Sequence, residues 1–140
     1  MVDRDRVLAK LDELDGYLKE LAGVAPKSFA EYRRVEKKRS CERLLQVAIE
    51  CVIDVCSLFV RGLRLGVPGE EDDLFEKLAG VEIFSKPLMD TLKRMKGFGN
   101  ILVHEYGAVD DEIVYEMACS GAPDFGRFKS EILSALAREF

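Results

Sequence analysis

The sequence predicts an all-α protein, an up-and-down bundle of about five to six helices built around one long central helix. Three observations carry that prediction. Apolar residues recur at three- and four-residue steps through most of the 140-residue chain. Prolines number only four, and strand-like alternation of Val, Ile and Thr is hard to find. One stretch, 44–60, is apolar around most of its circumference, as a helix buried among others must be. A chain of this length makes one ordinary domain, 1–140, with enough residues to bury its own core.

The elements follow in order. Val7, Leu8, Leu11, Leu14, Leu18 and Leu21 trace one face of a first helix from about Asp3 to Ala22, ended by Gly23 and Pro26. Ser28-Phe-Ala-Glu31 has the form of a capping box and opens a second helical region. That region runs to about Gly62 or Leu65, with a bend expected near Arg39–Ser40. GVPG at 66–69 makes a turn, and a short helix from about Asp73 to Ala79 follows. Ser85 caps the next helix, with Pro87 in its first turn, where the missing N–H costs nothing. Gly107 closes that helix, and Asp110-Asp111 opens another to about Cys119. Beyond Gly121-Ala-Pro123 a last amphipathic helix starts at Asp124, with Phe125, Phe128, Ile132 and Leu136 on one face.

Composition narrows the function classes. Hydrophobic residues make up 48% and charged residues 34%, which is globular and not disordered composition. The net charge, 21 − 26 = −5, argues against a broad polyanion sponge, because phosphate neutralisation supplies most non-specific nucleic-acid affinity. A local basic cluster can still act within an acidic whole. Arg33, Arg34, Lys37, Lys38, Arg39 and Arg43 form one such cluster, and Lys93, Arg94 and Lys96 a second. Each is either a solvated face or an RNA footprint. The four cysteines, at 41, 51, 56 and 119, form no CxxC and accompany a single histidine. The usual zinc spacings are therefore absent, and neither metal nor cofactor is expected. Cys51 and Cys56 fall in the apolar stretch and are expected in the core. Reduced thiols, an N-terminus without an apolar leader, and a greasiest run interrupted at Asp54 point to a cytoplasmic protein that does not enter membranes.

The segment KRMKGFGNILVHEYG, residues 93–107, is the most informative in the chain. His104 is the one residue of a type that ordinarily titrates near neutrality. A lone histidine is more often structural than catalytic, so its neighbours decide. Asn100 lies four residues earlier and projects from the same helical face. Tyr106 lies two residues later, just before the helix-closing Gly107.

GNILVHEYGAVD resembles the signature of the HepT-like HEPN family, in which an Arg-Asn pair leads through a short apolar run to His-x-Tyr. ERLLQVAIECVIDV at 42–55 resembles the family's long core helix, LDELDGYLKEL its first helix, and the closing helix with DFGRF also fits. The resemblance covers nearly the whole chain. It implies an HEPN-type helical bundle that forms a homodimer, with two copies of the motif across a cleft, and metal-independent cleavage of tRNA or mRNA as the toxin of a toxin–antitoxin pair. It also implies a cognate MntA-like nucleotidyltransferase as antitoxin, which attaches AMP to the Tyr of His-x-Tyr, here Tyr106. In that scheme His104 is the acid/base, and Asn100 orients it or donates to the phosphate. Tyr106 can equally be a ring packed at the dimer seam.

One position departs from the family pattern. Gly99 stands where the motif has the Arg that clamps phosphate. Arg94 and Lys96 are candidate substitute cations, but they lie ten and eight residues before His104, about 15 and 12 Å along a continuous helix, and each is turned from it by roughly 80°. Rescue from the same chain would need a kink at Gly97 or Gly99. The alternative to an active nuclease is therefore a weakened or inactive protein that serves as a dimeric, partner-binding module. A polar line on the long helix, Glu42, Gln46, Glu50 and Asp54, also reads two ways. It is a solvated edge, or Glu50 and Asp54 support the motif. Steps of four residues drift by about 40° each, so all four cannot point at one spot.

Overall fold

The computed structural model describes residues 1–67, 69, 71–104, 107 and 109–139. Among these the chain forms seven helices: α1 (Arg4–Val24), α2 (Phe29–Tyr32), α3 (Val35–Gly62), α4 (Glu71–Gly80), α5 (Lys86–His104), α6 (Asp111–Ser120) and α7 (Ala122–Glu139). Side-chain caps set several of the starts. The Asp3 carboxylate accepts from the N–H of Arg6 and opens α1. Ser28 Oγ accepts from the N–H of Glu31 at 3.1 Å, and the Glu31 carboxylate reaches back to the N–H of Lys27 at 3.3 Å. Ser85 Oγ accepts from the N–H of Leu88 at 3.3 Å at the head of α5. Asp110 accepts from the N–H groups of Glu112 and Ile113 and opens α6.

The expected bend at Arg39–Ser40 is not present; the second helical region breaks earlier. Arg34 is extended (φ −64°, ψ 133°) and separates α2 from α3, which accounts for the additional helix. The break turns Tyr32 fully into the core, where its ring lies 6.1 Å from that of Phe29 and 5.9 Å from that of Tyr115. Burying a whole aromatic ring outweighs the loss of a helical turn in a segment of ordinary helix formers.

α3 is the axis of the molecule and packs against α1, α2, α4, α5 and α6. Leu45, Ala48, Val55, Cys56 and Phe59 are inaccessible to solvent on different sides of it. α1 contributes Val7, Leu11, Leu14 and Leu21, and α7 contributes Phe125, Phe128, Ile132 and Leu136. All four cysteines are free thiols, and Cys41, Cys51 and Cys56 are buried. Burial pushes the Cys51 thiol up to about 11, and that of Cys56 higher still, so both stay protonated and act as small hydrophobes. No described helix is long and apolar enough to cross a membrane.

Candidate functional site

α3 and α5 pass close to each other, and the groove between them holds a cavity of about 150 Å³. From α5 it is lined by Lys96, Asn100 and His104, successive at four-residue steps, and from α3 by Gln46 and Glu50 at the same spacing. Ile49 and Ile53 supply apolar wall. Gln46 Nε2 donates to Glu50 Oε1 at 3.2 Å, so the α3 side presents an organised amide–carboxylate pair. The side chains of Asn100 and His104 are solvent-exposed and open to a ligand.

α5 runs unbroken through Gly97 and Gly99, so no kink reshapes the motif. The two glycines differ in kind. Gly97 faces open space. Gly99 is buried against α3, and a Cβ there would lie 3.2 Å from Ile49 Cγ2 and 3.5 Å from Ile49 Cδ1. Its missing side chain lets the two helices approach, and any residue larger than glycine must push Ile49 back. Gly99→Ala is therefore expected to lower the unfolding free energy by about 1–3 kcal/mol, although alanine is the better helix former. In an Ile49→Ala background the penalty should disappear. A denaturant double-mutant cycle measures that coupling, and additive costs in the two backgrounds would refute the contact.

The other candidate residues separate into distinct places. Lys96 lines the cavity, its Nζ 3.5 Å from Asp72 Oδ1 of α4, with 18% of its side chain exposed. The unkinked helix keeps Lys96 about 12 Å along its axis from His104, and the cavity extends along α5 far enough to be lined by both. Arg94 is not there. Its guanidinium donates to Thr91 Oγ1 at 3.2 Å, beside Phe98, Ile113 and Asp124 on the α6–α7 side. Glu50 reaches the cavity, but Asp54 does not support the motif. One helical turn further along α3, it pairs with Lys10 of α1 at 3.2 Å. That pairing raises the Lys10 ammonium above its ordinary range, chiefly through the Asp54 hydrogen bond. Glu42 is no solvated edge either: it is buried beside Tyr32 and takes Arg39 Nη1 on Oε1 at 2.6 Å. The drift of 40° per step sorts the four polar residues to three separate neighbourhoods.

Much of the basic footprint is engaged within the fold. Lys37 donates to the carbonyl of Val24 and pairs with Glu31, Lys38 pairs with Asp111 at 2.9 Å, and Lys93 pairs with Glu76 at 2.6 Å. Arg33 and Arg34 are exposed at the break between α2 and α3. Tyr106, the expected modification site, lies outside the described residues. Sequence reasoning did not find Asp72, which the turn and α4 bring to Lys96 from 24 residues away. Nothing local marks such a contact.

Comparison with known proteins places this geometry in context. The family model described as Ribonuclease HepT-like matches residues 12–132. The mRNA nuclease HepT of Shewanella oneidensis is 36% identical over 84 residues, which cover 60% of this chain and 63% of that protein. The putative RNase YutE of Bacillus subtilis is 24% identical over 98 residues, 70% of this chain and 68% of that one. Among solved structures, a tri-AMPylated Shewanella oneidensis HEPN toxin in complex with MNT antitoxin superimposes with a TM-score of 0.87 at 27% identity, covering 94% of this chain and 98% of that one. The YutE structure, at 22% identity and a TM-score of 0.84 over 99% of this chain and 94% of that one, shares the fold.

Proposed function

The chain belongs to the HepT-like ribonuclease family, and from that premise we propose that it is a metal-independent endoribonuclease toxin, acting as a homodimer on mRNA or tRNA. The observation that carries the reading is the α3–α5 cavity, where His104 and Asn100 meet on one wall opposite the Gln46–Glu50 pair. In the reaction the imidazole of His104 takes the proton of a ribose 2′-OH. The 2′-oxygen bonds to phosphorus as the P–O5′ bond breaks, and the departing 5′-oxygen receives a proton from an imidazolium, that of the second subunit or of His104 itself in its protonated form. The products are a 2′,3′-cyclic phosphate and a 5′-OH, so protons and bonds balance without a metal or redox partner. Asn100 orients the histidine or donates to the phosphate.

Control falls to a partner. A solved relative is AMPylated and bound to an MNT antitoxin, and here a cognate nucleotidyltransferase would transfer AMP from ATP to Tyr106, forming an O–P bond and releasing pyrophosphate. A charged phosphate near His104 repels the substrate phosphate and occupies its space. A second reading has its own support. Gly99 lacks the motif cation and is packed too tightly on Ile49 to accept one freely, which favours a disarmed module that only dimerises and binds the partner.

Purified protein incubated with bulk mRNA and tRNA in EDTA separates the two. Cleavage is expected, and prior incubation with the partner nucleotidyltransferase and ATP should silence the wild type but not Tyr106→Phe. No cleavage of either pool would overturn the enzymatic reading and leave the partner-binding module.

A further inference from the structure

We propose that Lys96 is a phosphate-binding cation of this groove, standing apart from the position where Gly99 replaces the motif arginine, and that Asp72 holds it in reserve. The inference rests on the nuclease reading for its biological meaning, but its chemistry is that of RNA binding and can be tested apart from cleavage. Three observations support it. Lys96 is the one cation among the described residues lining the cavity that also holds Asn100 and His104. Its side chain is four-fifths buried, so its charge acts across a partly desolvated groove where a phosphate is attracted more strongly than at an open surface. Its partner holds it loosely: Nζ stands 3.5 Å from Asp72 Oδ1, and the Asp72 side chain is 40% exposed, so its carboxylate keeps water when the ammonium turns away. An incoming phosphate can therefore take the ammonium at small cost.

Reach argues for the same role. Lys96 and His104 are about 12 Å apart along the helix axis, and the cavity joins them along one side of α5. An RNA strand following the groove places phosphate at the ammonium while a ribose meets the imidazole. The glycine at 99 fits this arrangement. By seating α5 on Ile49 it brings the two walls of the groove together. Arg94, turned to the α6–α7 side and bonded to Thr91, does not compete for the role.

The test is fluorescence anisotropy with a single-stranded 2′-O-methyl oligonucleotide, which cannot be cleaved because it lacks the attacking hydroxyl, titrated across a salt series. Wild-type affinity should fall with salt, and Lys96→Gln should bind several-fold more weakly with a log–log slope shallower by about 0.7, the contribution of one phosphate contact on a single strand. Lys96→Arg should restore both values. Asp72→Asn should bind more tightly than wild type, and Arg94→Gln, on the α6–α7 side, should keep the wild-type slope. Equal affinity and slope for wild type and Lys96→Gln would overturn the proposal, as would a wild type that does not bind. The nuclease reading fails separately: Lys96-dependent binding with no cleavage of ordinary RNA retires the enzyme and leaves the phosphate site standing. Cleavage by a Lys96→Gln protein whose binding is unchanged does the reverse.

Discussion

His104→Ala should lower RNA cleavage by about 10²–10⁴-fold, the range that a positioned proton-transfer group contributes. The effect should fall on the chemical step. The His104 side chain is exposed at the end of α5 and lines the cavity without forming part of the core, so its removal leaves helical content and the denaturation midpoint near wild type. Single-turnover rates with saturating protein isolate the chemical step from substrate binding. A drop confined to substrate affinity would mean that His104 only holds RNA. His104→Asn is an informative companion, because it retains hydrogen-bonding capacity and loses the proton-transfer function. It should be as inactive as the alanine variant if the imidazole transfers protons. Recovery of most of the rate in His104→Asn would transfer the acid/base role elsewhere.

Phe59→Ala should destabilise the fold by about 3–5 kcal/mol, the usual cost of emptying a buried phenylalanine site. Phe59 is inaccessible on α3, the helix against which five others pack, so no single neighbour can collapse into the space without giving up its own contacts. A domain of this kind has only about 5–15 kcal/mol of stability to lose. The midpoint in urea should shift strongly with little change in slope, measured at one fixed protein concentration because the stability of the proposed homodimer would depend on it. A loss below about 1 kcal/mol would show that α3 is not the structural axis. Cleavage at low temperature, where the variant remains folded, should persist, since Phe59 does not line the α3–α5 cavity.

How far the sequence could be read depended on whether the decisive contact was local. Repeats of apolar residues such as Val7, Leu11, Leu14 and Leu21 report the buried face of α1 directly, because a helix places them there whatever its neighbours are. Caps are equally local, and Ser28, Ser85 and Asp110 each bond the backbone that their position implied. The break at Arg34 was not legible. No glycine or proline marks it, and its cause is the burial of Tyr32 against Phe29 and Tyr115, the latter more than 80 residues further along the chain. The site divides in the same way. His104 and Asn100 share a face by spacing alone, and the drift along α3 already required Glu50 and Asp54 to part company. The length of the cavity along α5, the wall that Ile49 presents to Gly99, and the Asp72 partner of Lys96 all depend on how α3, α4 and α5 dock. Angular arithmetic from His104 alone therefore left Lys96 as a candidate that needed a kink, although a groove can recruit residues along its whole length.

The proposed reaction cleaves RNA by attack of the 2′-hydroxyl without a metal. End-group analysis of the products formed in EDTA tests it most directly. Transfer to the 2′-oxygen leaves 2′,3′-cyclic phosphate and 5′-hydroxyl ends, and these should disappear with His104→Ala. Products carrying 3′-hydroxyl and 5′-phosphate ends, or ends that persist unchanged in His104→Ala, would contradict it.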